Sequence, residues 1–219
     1  VAGNLLTDNV EFRWYNNIFF LADLNFQERI QLSASLNLNR TSYRYEDHFL
    51  PNGDQGGEHQ FNPVVSPRLA VNLKSTENLS LFAVVSHGFS PPTLEETLMP
   101  GGLRNTAIKP ETGWNFEVGA KGSVSELLWF EVSVYYMKVK NLLVARRTAE
   151  DEYMGINAGS TNHPGLEIKL DYLLIERPKW SSFFRINANL TRYRFAKFVD
   201  NGINYSGNKL TGTPASTTN

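Results

Sequence analysis

Hydrophobic and polar residues alternate with a period of two over most of this chain. Between Arg29 and Tyr45, the set Ile30, Leu32, Ala34, Leu36 and Leu38 interleaves with Gln31, Ser33, Ser35, Asn37 and Asn39. Successive side chains of an extended strand point to opposite faces, so this segment has one apolar and one polar face. Leu166, Ile168, Leu170 and Tyr172 against Glu167, Lys169 and Asp171 repeat the pattern, as do Phe184, Ile186, Ala188 and Leu190 against Arg185, Asn187, Asn189 and Thr191. No 3.6-residue period competes with it. The alternation predicts eight strands, at about Asn16 to Phe26, Arg29 to Tyr45, Ser66 to Lys74, Leu79 to Gly88, Gly113 to Ser123, Leu128 to Val144, Tyr153 to Leu174 and Ser182 to Phe195.

One apolar face per strand fits a soluble sandwich or a lipocalin-like barrel as well as a membrane barrel. Three features tip the balance to the membrane. The strands run to about 9 residues or more, the length that a tilted strand needs to cross the hydrocarbon, where soluble strands average about 5 or 6. Connectors alternate between short ones, near Gln27, Ser75 to Asn78, Val124 to Leu127 and Ile175 to Ser181, and long ones, Glu46 to Val65 and Phe89 to Thr112. Bacterial barrels place short turns in the periplasm and long loops outside. Trp129 and Trp180 fall at short-turn ends and Trp14 and Trp114 at long-loop ends, as two aromatic girdles require. The prolines fall in connectors or at strand entries, with Pro67 and Pro164 closest to a strand.

Composition removes several function classes. The formal net charge is −1, so neither nucleic acid nor an acidic surface is implied as a partner. There is no cysteine, hence no disulfide, thiolate metal site or cysteine nucleophile. No stretch approaches the roughly 18 apolar residues of a transmembrane helix, and Val1 to Asn9 lacks a signal-peptide layout. The opening at Val1 and the polar run Thr211 to Asn219 predict a piece of a longer barrel.

Candidate chemistry is sparse. His48 and His59 share a loop with Glu46, Asp47, Asp54 and Glu58, but the spacing fits no compact metal motif and reads as a solvated loop. The carboxylates Glu95-Glu96 and Glu150-Asp151-Glu152 read as charged loops facing water or lipopolysaccharide rather than as a glycosidase pair. Nucleophile-elbow, phosphate-cradle and dinucleotide motifs are missing, so no cofactor and no enzymatic activity is expected. The polar face is informative: Arg29, Glu117, Lys121, Glu131, Glu167, Lys169, Asp171 and Arg185 need a wet or plugged lumen to solvate and pair them.

Several segments resemble one family in order and spacing. Ser66-Pro67-Arg68-Leu69, His87-Gly88-Phe89-Ser90-Pro91-Pro92-Thr93-Leu94-Glu95-Glu96, Lys109-Pro110-Glu111-Thr112 and Phe116-Glu117-Val118-Gly119-Ala120-Lys121-Gly122 are similar to the barrel of TonB-dependent outer-membrane receptors. Val134 to Val144, Ile156-Asn157-Ala158-Gly159 and Gly165-Leu166-Glu167 continue the resemblance, which covers Ser66 to Leu174 well and the flanks in character. His87 departs from the Arg or Lys that the family usually places before Gly-Phe.

The resemblance implies an all-β, antiparallel up-and-down transmembrane barrel segment of about eight strands, an open part of a larger barrel. Residues 1–219 are then a partial outer-membrane barrel domain, with the plug domain and the closing strands outside it. The implied activity is active uptake of a scarce, bulky ligand, typically a ferric siderophore, with energy delivered by the TonB complex through the plug. A passive porin or a small structural or adhesion barrel is the alternative, and an esterase-type barrel enzyme a distant third. Three further expectations follow. The sheet is curved but not closed; Leu32, Leu36, Leu81, Val132, Val134, Leu166, Ile168, Leu170, Ile186 and Leu190 share one face; and ligand capture falls on the long-loop rim, through Arg104, Arg146 and Arg147.

Overall fold

The computed structural model describes Leu5 and residues 7–99, 103–149 and 152–219; Glu150 and Asp151 lie outside them. In chain order the elements are β1 (Asn9–Phe26), β2 (Ile30–Asp47), a 3-10 turn (Leu50–Asn52), β3 (Gly57–Gln60), β4 (Val64–Thr76), β5 (Leu79–Ser90), α1 (Leu94–Thr97), β6 (Glu111–Ser125), β7 (Leu128–Lys140), β8 (Leu143–Ala149) and β9 (Glu152–Asn157). They continue with β10 (Ser160–Arg177), β11 (Trp180–Thr191), β12 (Arg194–Lys197), β13 (Val199–Asp200), β14 (Ile203–Asn204) and β15 (Ser216–Thr218).

Eight long antiparallel strands form one sheet in the order β1-β2-β4-β5-β6-β7-β10-β11, followed by the short β15. β1 and β11 do not pair with each other, so the sheet is open, as the strand count requires. Turns of two or three residues join the long strands at one end: 27–29, 77–78, 126–127 and 178–179. Gln27 and Glu28 adopt positive φ (48° and 56°) to reverse the chain that tightly. The same device recurs along this edge. Lys74, Ser123 and Leu173 each open a register shift in the strand that leads into a turn. The amide so freed donates sideways to the preceding turn, onto the carbonyls of Arg29, Asn78 and Leu127. Each bulge thus satisfies a group that its own ladder leaves open.

The register carries the two faces around the sheet. Leu32 lies opposite Val71, Leu81 opposite Leu73 and Ala120, and Val134 opposite Val118 and Leu166. Leu170 lies opposite Phe130 and Ile186. All ten apolar residues expected to share a face do so. Among the described residues no second layer covers this face: Ile18 is 70% exposed, Val118 59% and Val134 56%. On the other face Lys121 lies opposite Glu131, Glu131 opposite Lys169, and Asp171 opposite Arg185. Arg185 grips the Asp171 carboxylate with two hydrogen bonds, 2.5 and 3.1 Å. Two aromatic rings on this polar face lie over glycines of the next strand, Phe82 over Gly119 and Tyr135 over Gly165, where a Cβ would overlap the ring.

Several sequence expectations are corrected. β1 begins at Asn9 rather than Asn16, because Glu11, Arg13 and Tyr15 pair with Tyr45, Tyr43 and Thr41. The expected strands Leu128 to Val144 and Tyr153 to Leu174 each divide, at Asn141 (φ 55°) and Gly159 (φ 74°). The pieces between form a separate hairpin, β8–β9. The last long strand is interrupted at Arg192 and Tyr193, and β12 (Arg194 to Lys197) resumes the pairing with β10 in the same direction. Trp14, Trp114 and Trp180 fall on the apolar face. Trp129 lies on the polar face under the Lys169 ammonium, 5.1 Å from its ring, so it belongs to no girdle. Arg29 sits in a turn rather than on the polar face. Pro67 lies inside β4 one residue beyond the last β4–β5 pair, and Pro164 lies inside β10 in the gap between its pairings with β11 and β12, so each missing N–H falls where the ladder is already interrupted.

Candidate functional site at the long-loop rim

The odd-numbered residues of β2 face the polar side, and beyond Asn39, where pairing to β4 ends, they become Thr41, Tyr43 and Tyr45. Tyr43 and Tyr45 are 1% and 5% exposed because the connector after β5 folds over them. Tyr43 Oη donates to the Pro92 carbonyl at 2.6 Å, and Tyr45 Oη lies 2.6 Å from Thr97 Oγ1. Arg13, paired with Glu11, also donates to the Pro92 carbonyl (3.3 Å) and stacks on the Tyr43 ring at 4.2 Å. The connector holds this shape through α1. Thr93 Oγ1 accepts from the Glu96 amide (3.4 Å), and the Glu96 carboxylate accepts from the Thr93 amide (2.7 Å), a reciprocal cap that ties one helical turn to its own start.

Neighbouring loops close on the same roof. β3 pairs with β2 and brings Phe61 edge-on to Tyr43 at 5.1 Å, with His59 4.7 Å from Phe61. Arg104 donates to the Gly56 carbonyl at 3.1 Å and lies 5.5 Å over the Tyr45 ring. The space left among Tyr43, Tyr45, His59, Thr97 and Arg104 is about 10 Å³, room for one water at most. On the opposite flank the backbone of Glu96 presses on Gly155 of β9, where a Cβ would come within 2.6 Å of the Glu96 carbonyl oxygen. Asn105 adds a 2.8 Å hydrogen bond to the Gly155 carbonyl.

Below the roof, the loop roots are tied by Asn157. Its Oδ1 accepts from the Lys109 amide at 2.9 Å, and its Nδ2 donates to the carbonyls of Lys109 and Asn141, both at 2.9 Å. The Glu111 carboxylate accepts from the Leu143 amide at 3.0 Å, while across the corner the Ala158 amide donates to the Leu142 carbonyl (2.7 Å) and the Leu142 amide to the Gly159 carbonyl (3.3 Å). Lys109-Pro110-Glu111-Thr112 therefore fixes where β6 begins, and does so against Asn141 and Ile156-Asn157-Ala158-Gly159.

The three arginines expected at the rim take different places. Arg104 is built into the roof, its Nε buried without a partner among the described residues. Arg146, on β8, pairs with Asp200 of β13 at 2.9 Å and joins two outer hairpins. Arg147 follows it on β8 and is exposed. The polar residues of the first loop hold the loop itself: Asp47 accepts from the amides of Phe49 and Gln55, and Asp54 from that of Gly56. Tyr43, Tyr45 and Asn157 were not singled out from sequence. The Thr93-x-x-Glu96 capping signature and the aromatic-polar alternation above Asn39 were the available signals.

The roof carries one pH dependence. Burial, and then the charge of Arg104, lower the pKa of His59 below its usual value of 6.5. The undocked loop takes up the proton first, so docking of β3 is at full strength above about pH 6.5 and weakens as pH falls below it. Amide exchange of Gly57 to Gln60 should accelerate between pH 7 and 5 in excess of the intrinsic rate, and His59→Phe should abolish the effect. Unchanged protection across that range would exclude it.

The chain matches over residues 1–219 a family model described as TonB-dependent receptor-like, β-barrel. No curated protein sequence matches it significantly. Among solved structures, the siderophore receptor PiuA from Acinetobacter baumannii superposes with a TM-score of 0.70 at 16% identity, over 96% of this chain and 31% of that one. The ferric yersiniabactin uptake receptor FyuA from Yersinia pestis gives 0.64 at 18% identity, over the same shares. The copper transporter OprC gives 0.62 at 17%, over 85% of this chain and 30% of its own. The chain thus spans about a third of the length of these receptors. Its open sheet, its uncovered apolar face and its knotted loop roots are those of a barrel wall, and the chain belongs to the TonB-dependent receptor-like β-barrel family.

Proposed function

We propose that the chain is the wall and part of the capture rim of an outer-membrane receptor that takes up a scarce ligand, a ferric siderophore or similar iron complex, with energy supplied by TonB through a plug domain. The observation that carries this reading is the pairing of an uncovered apolar face with a charged, amide-rich one across eight long strands. The apolar face meets membrane lipid and the charged face a filled lumen. The names of similar receptors, which cite ferric yersiniabactin and siderophores, support the ligand class. The wall performs no bond chemistry. Outer-membrane lipid and lipopolysaccharide surround it.

A porin would carry a constriction loop at mid-height. Here the inward loop seats on Tyr43 and Tyr45, above the last β2–β4 pair at Asn39, and roofs the rim. Capture falls to the outer side of this roof and to β8, where Arg146 and Arg147 offer forked donors to anionic oxygens, while Arg104 holds the roof in shape. Replacing Arg104, Arg146 and Arg147 together by Ala in the full receptor should weaken binding of a ferric siderophore at least about tenfold, from the loss of charge-assisted hydrogen bonds. An unchanged dissociation constant removes these residues from the site.

A further inference from the structure

We infer that Asp200 is a built-in competitor for Arg146, one that an anionic ferric chelate must displace, and that it sets the charge selectivity of the capture rim. The inference rests on the capture role given to Arg146 above and adds the residue that regulates it. Arg146 Nη1 meets one carboxylate oxygen of Asp200 at 2.9 Å, and the other guanidinium nitrogens have no partner among the described residues. The pair is therefore end-on. Arg185 and Asp171, by contrast, share two bonds through both carboxylate oxygens. A guanidinium held end-on still prefers a partner that fills its fork, and a carboxylate or catecholate of a ligand offers two oxygens in one plane.

Asp200 also sits where it can move away. β13 and β14 pair only with each other, through Val199–Asn204 and Asp200–Ile203, and the chain reverses between them at Asn201 and Gly202 (φ 48° and 80°). So short a ladder is marginal without support. Its base is fixed by Phe198, whose ring lies 4.8 Å from that of Phe195 and 5.6 Å from that of Tyr205, while its tip is tied to β8 through Asp200. The Arg146 and Asp200 side chains are 33% and 23% exposed, so solvent and ligand both reach the pair. Ile203, opposite Asp200 and itself exposed, gives the site an apolar flank.

These features sort ligands by charge. An anion that takes Arg146 replaces one negative partner by another, so the guanidinium stays compensated and the released hairpin swings on Phe198. A neutral chelate offers the guanidinium nothing in exchange and leaves the pair closed. The competition lowers the apparent affinity for anions in proportion to the fraction of receptors in which Asp200 leaves Arg146 open. For a part-exposed ion pair that factor is roughly fivefold. The ligand class that fits is a ferric chelate with carboxylate or catecholate oxygens at its edge, carried on an apolar or aryl body.

The test uses the full receptor in maltoside micelles, titrated calorimetrically with an anionic iron(III) tris-catecholate, an anionic iron(III) citrate complex and a neutral iron(III) tris-hydroxamate. Asp200→Asn, which keeps the shape and removes the charge, should bind the anionic chelates roughly fivefold more tightly and the neutral one as the wild type does. Glu152→Gln, which removes a carboxylate of β9 instead, should change neither. In an Arg146→Ala background Asp200→Asn should have no effect, since the two residues act on the ligand as one pair. Amide exchange at Val199 to Asn204 should accelerate when the wild-type receptor binds an anionic chelate. The inference is overturned if Asp200→Asn brings no gain, an equal gain for the neutral chelate, or a gain that persists without Arg146. It is overturned equally if Glu152→Gln gives the same gain, if those amides slow on binding, or if the wild-type receptor binds the neutral chelate alone. A wild-type receptor that binds none of the three, or an Arg146→Ala variant that keeps wild-type affinity for the anions, removes the capture reading itself.

Discussion

Leu170→Lys in the full receptor is expected to destabilise the refolded barrel by about 2 to 4 kcal/mol, and Lys169→Leu by clearly less. The two residues are neighbours in β10 but belong to opposite faces. Leu170 lies between Phe130 and Ile186 in the middle of the apolar band that runs from Leu166 to Tyr172. An ammonium there must shed its water or drag it into hydrocarbon. Lys169 lies between Glu131 and Asn187, over the Trp129 ring, where water or a plug can reach it. Its loss still leaves Glu131 opposite Lys121, a small cost at a wet surface. Denaturant titration of each variant refolded into phospholipid vesicles measures the difference. Equal tolerance of both substitutions would sink the assignment of faces.

Gly159→Ala should cost about 2 to 5 kcal/mol, although it adds a single methyl group. The residue holds φ at 74°, a left-handed conformation that costs an L residue about 1 to 2 kcal/mol. In addition, the methyl would overlap the Lys197 carbonyl oxygen, and relieving that overlap adds about 1 to 3 kcal/mol. The position joins β9 to β10 beside Ala158, which is fully buried, and opposite the end of β12. Hydrogen exchange should therefore speed up at Ser160 to Asn162 and at Leu143, away from the site of substitution. Gly202→Ala is the control: its φ is 80° but no heavy atom lies within 4 Å of the added methyl, so only the backbone cost applies. If the two variants lose the same stability, the packing against Lys197 contributes nothing.

The strands that span the sheet were legible because their two faces meet different surroundings, and period-two alternation records that difference residue by residue. Leu32, Leu81, Val134 and Ile186 required nothing else. The outer hairpins were not legible in the same way. Arg146 to Tyr153 alternates no more clearly than the strand before it, so β7 and β8 merged in the sequence, and only Asn141, at φ 55°, separates them. β1 posed a related problem. Ile18-Phe19-Phe20-Leu21 is apolar on both faces, and its upper half pairs through Glu11 and Arg13, charged residues that look like loop until Tyr43 and Tyr45 are placed opposite them. Trp129 was misassigned because aromatic position along the chain was used without its parity. At the rim, the arginines were found as residue types but not as partners. Asp200, which holds Arg146, lies 54 positions away and nothing local announces it.

The knot around Asn157 separates what must stay constant at this end of the barrel from what is free to vary. Lys109 and Asn141 are held by Asn157 at the root of the β8–β9 hairpin and Leu143 by Glu111 at the start of β6, so the ring they form closes beneath the loop tips. A tip inserted above such a closed ring transmits little strain to the strands below it. The tip of the β8–β9 hairpin can therefore be lengthened, shortened or exchanged for another receptor's while the wall folds as before. In engineering terms the rim is a socket, and new loop tips can be fitted to it without redesigning the barrel.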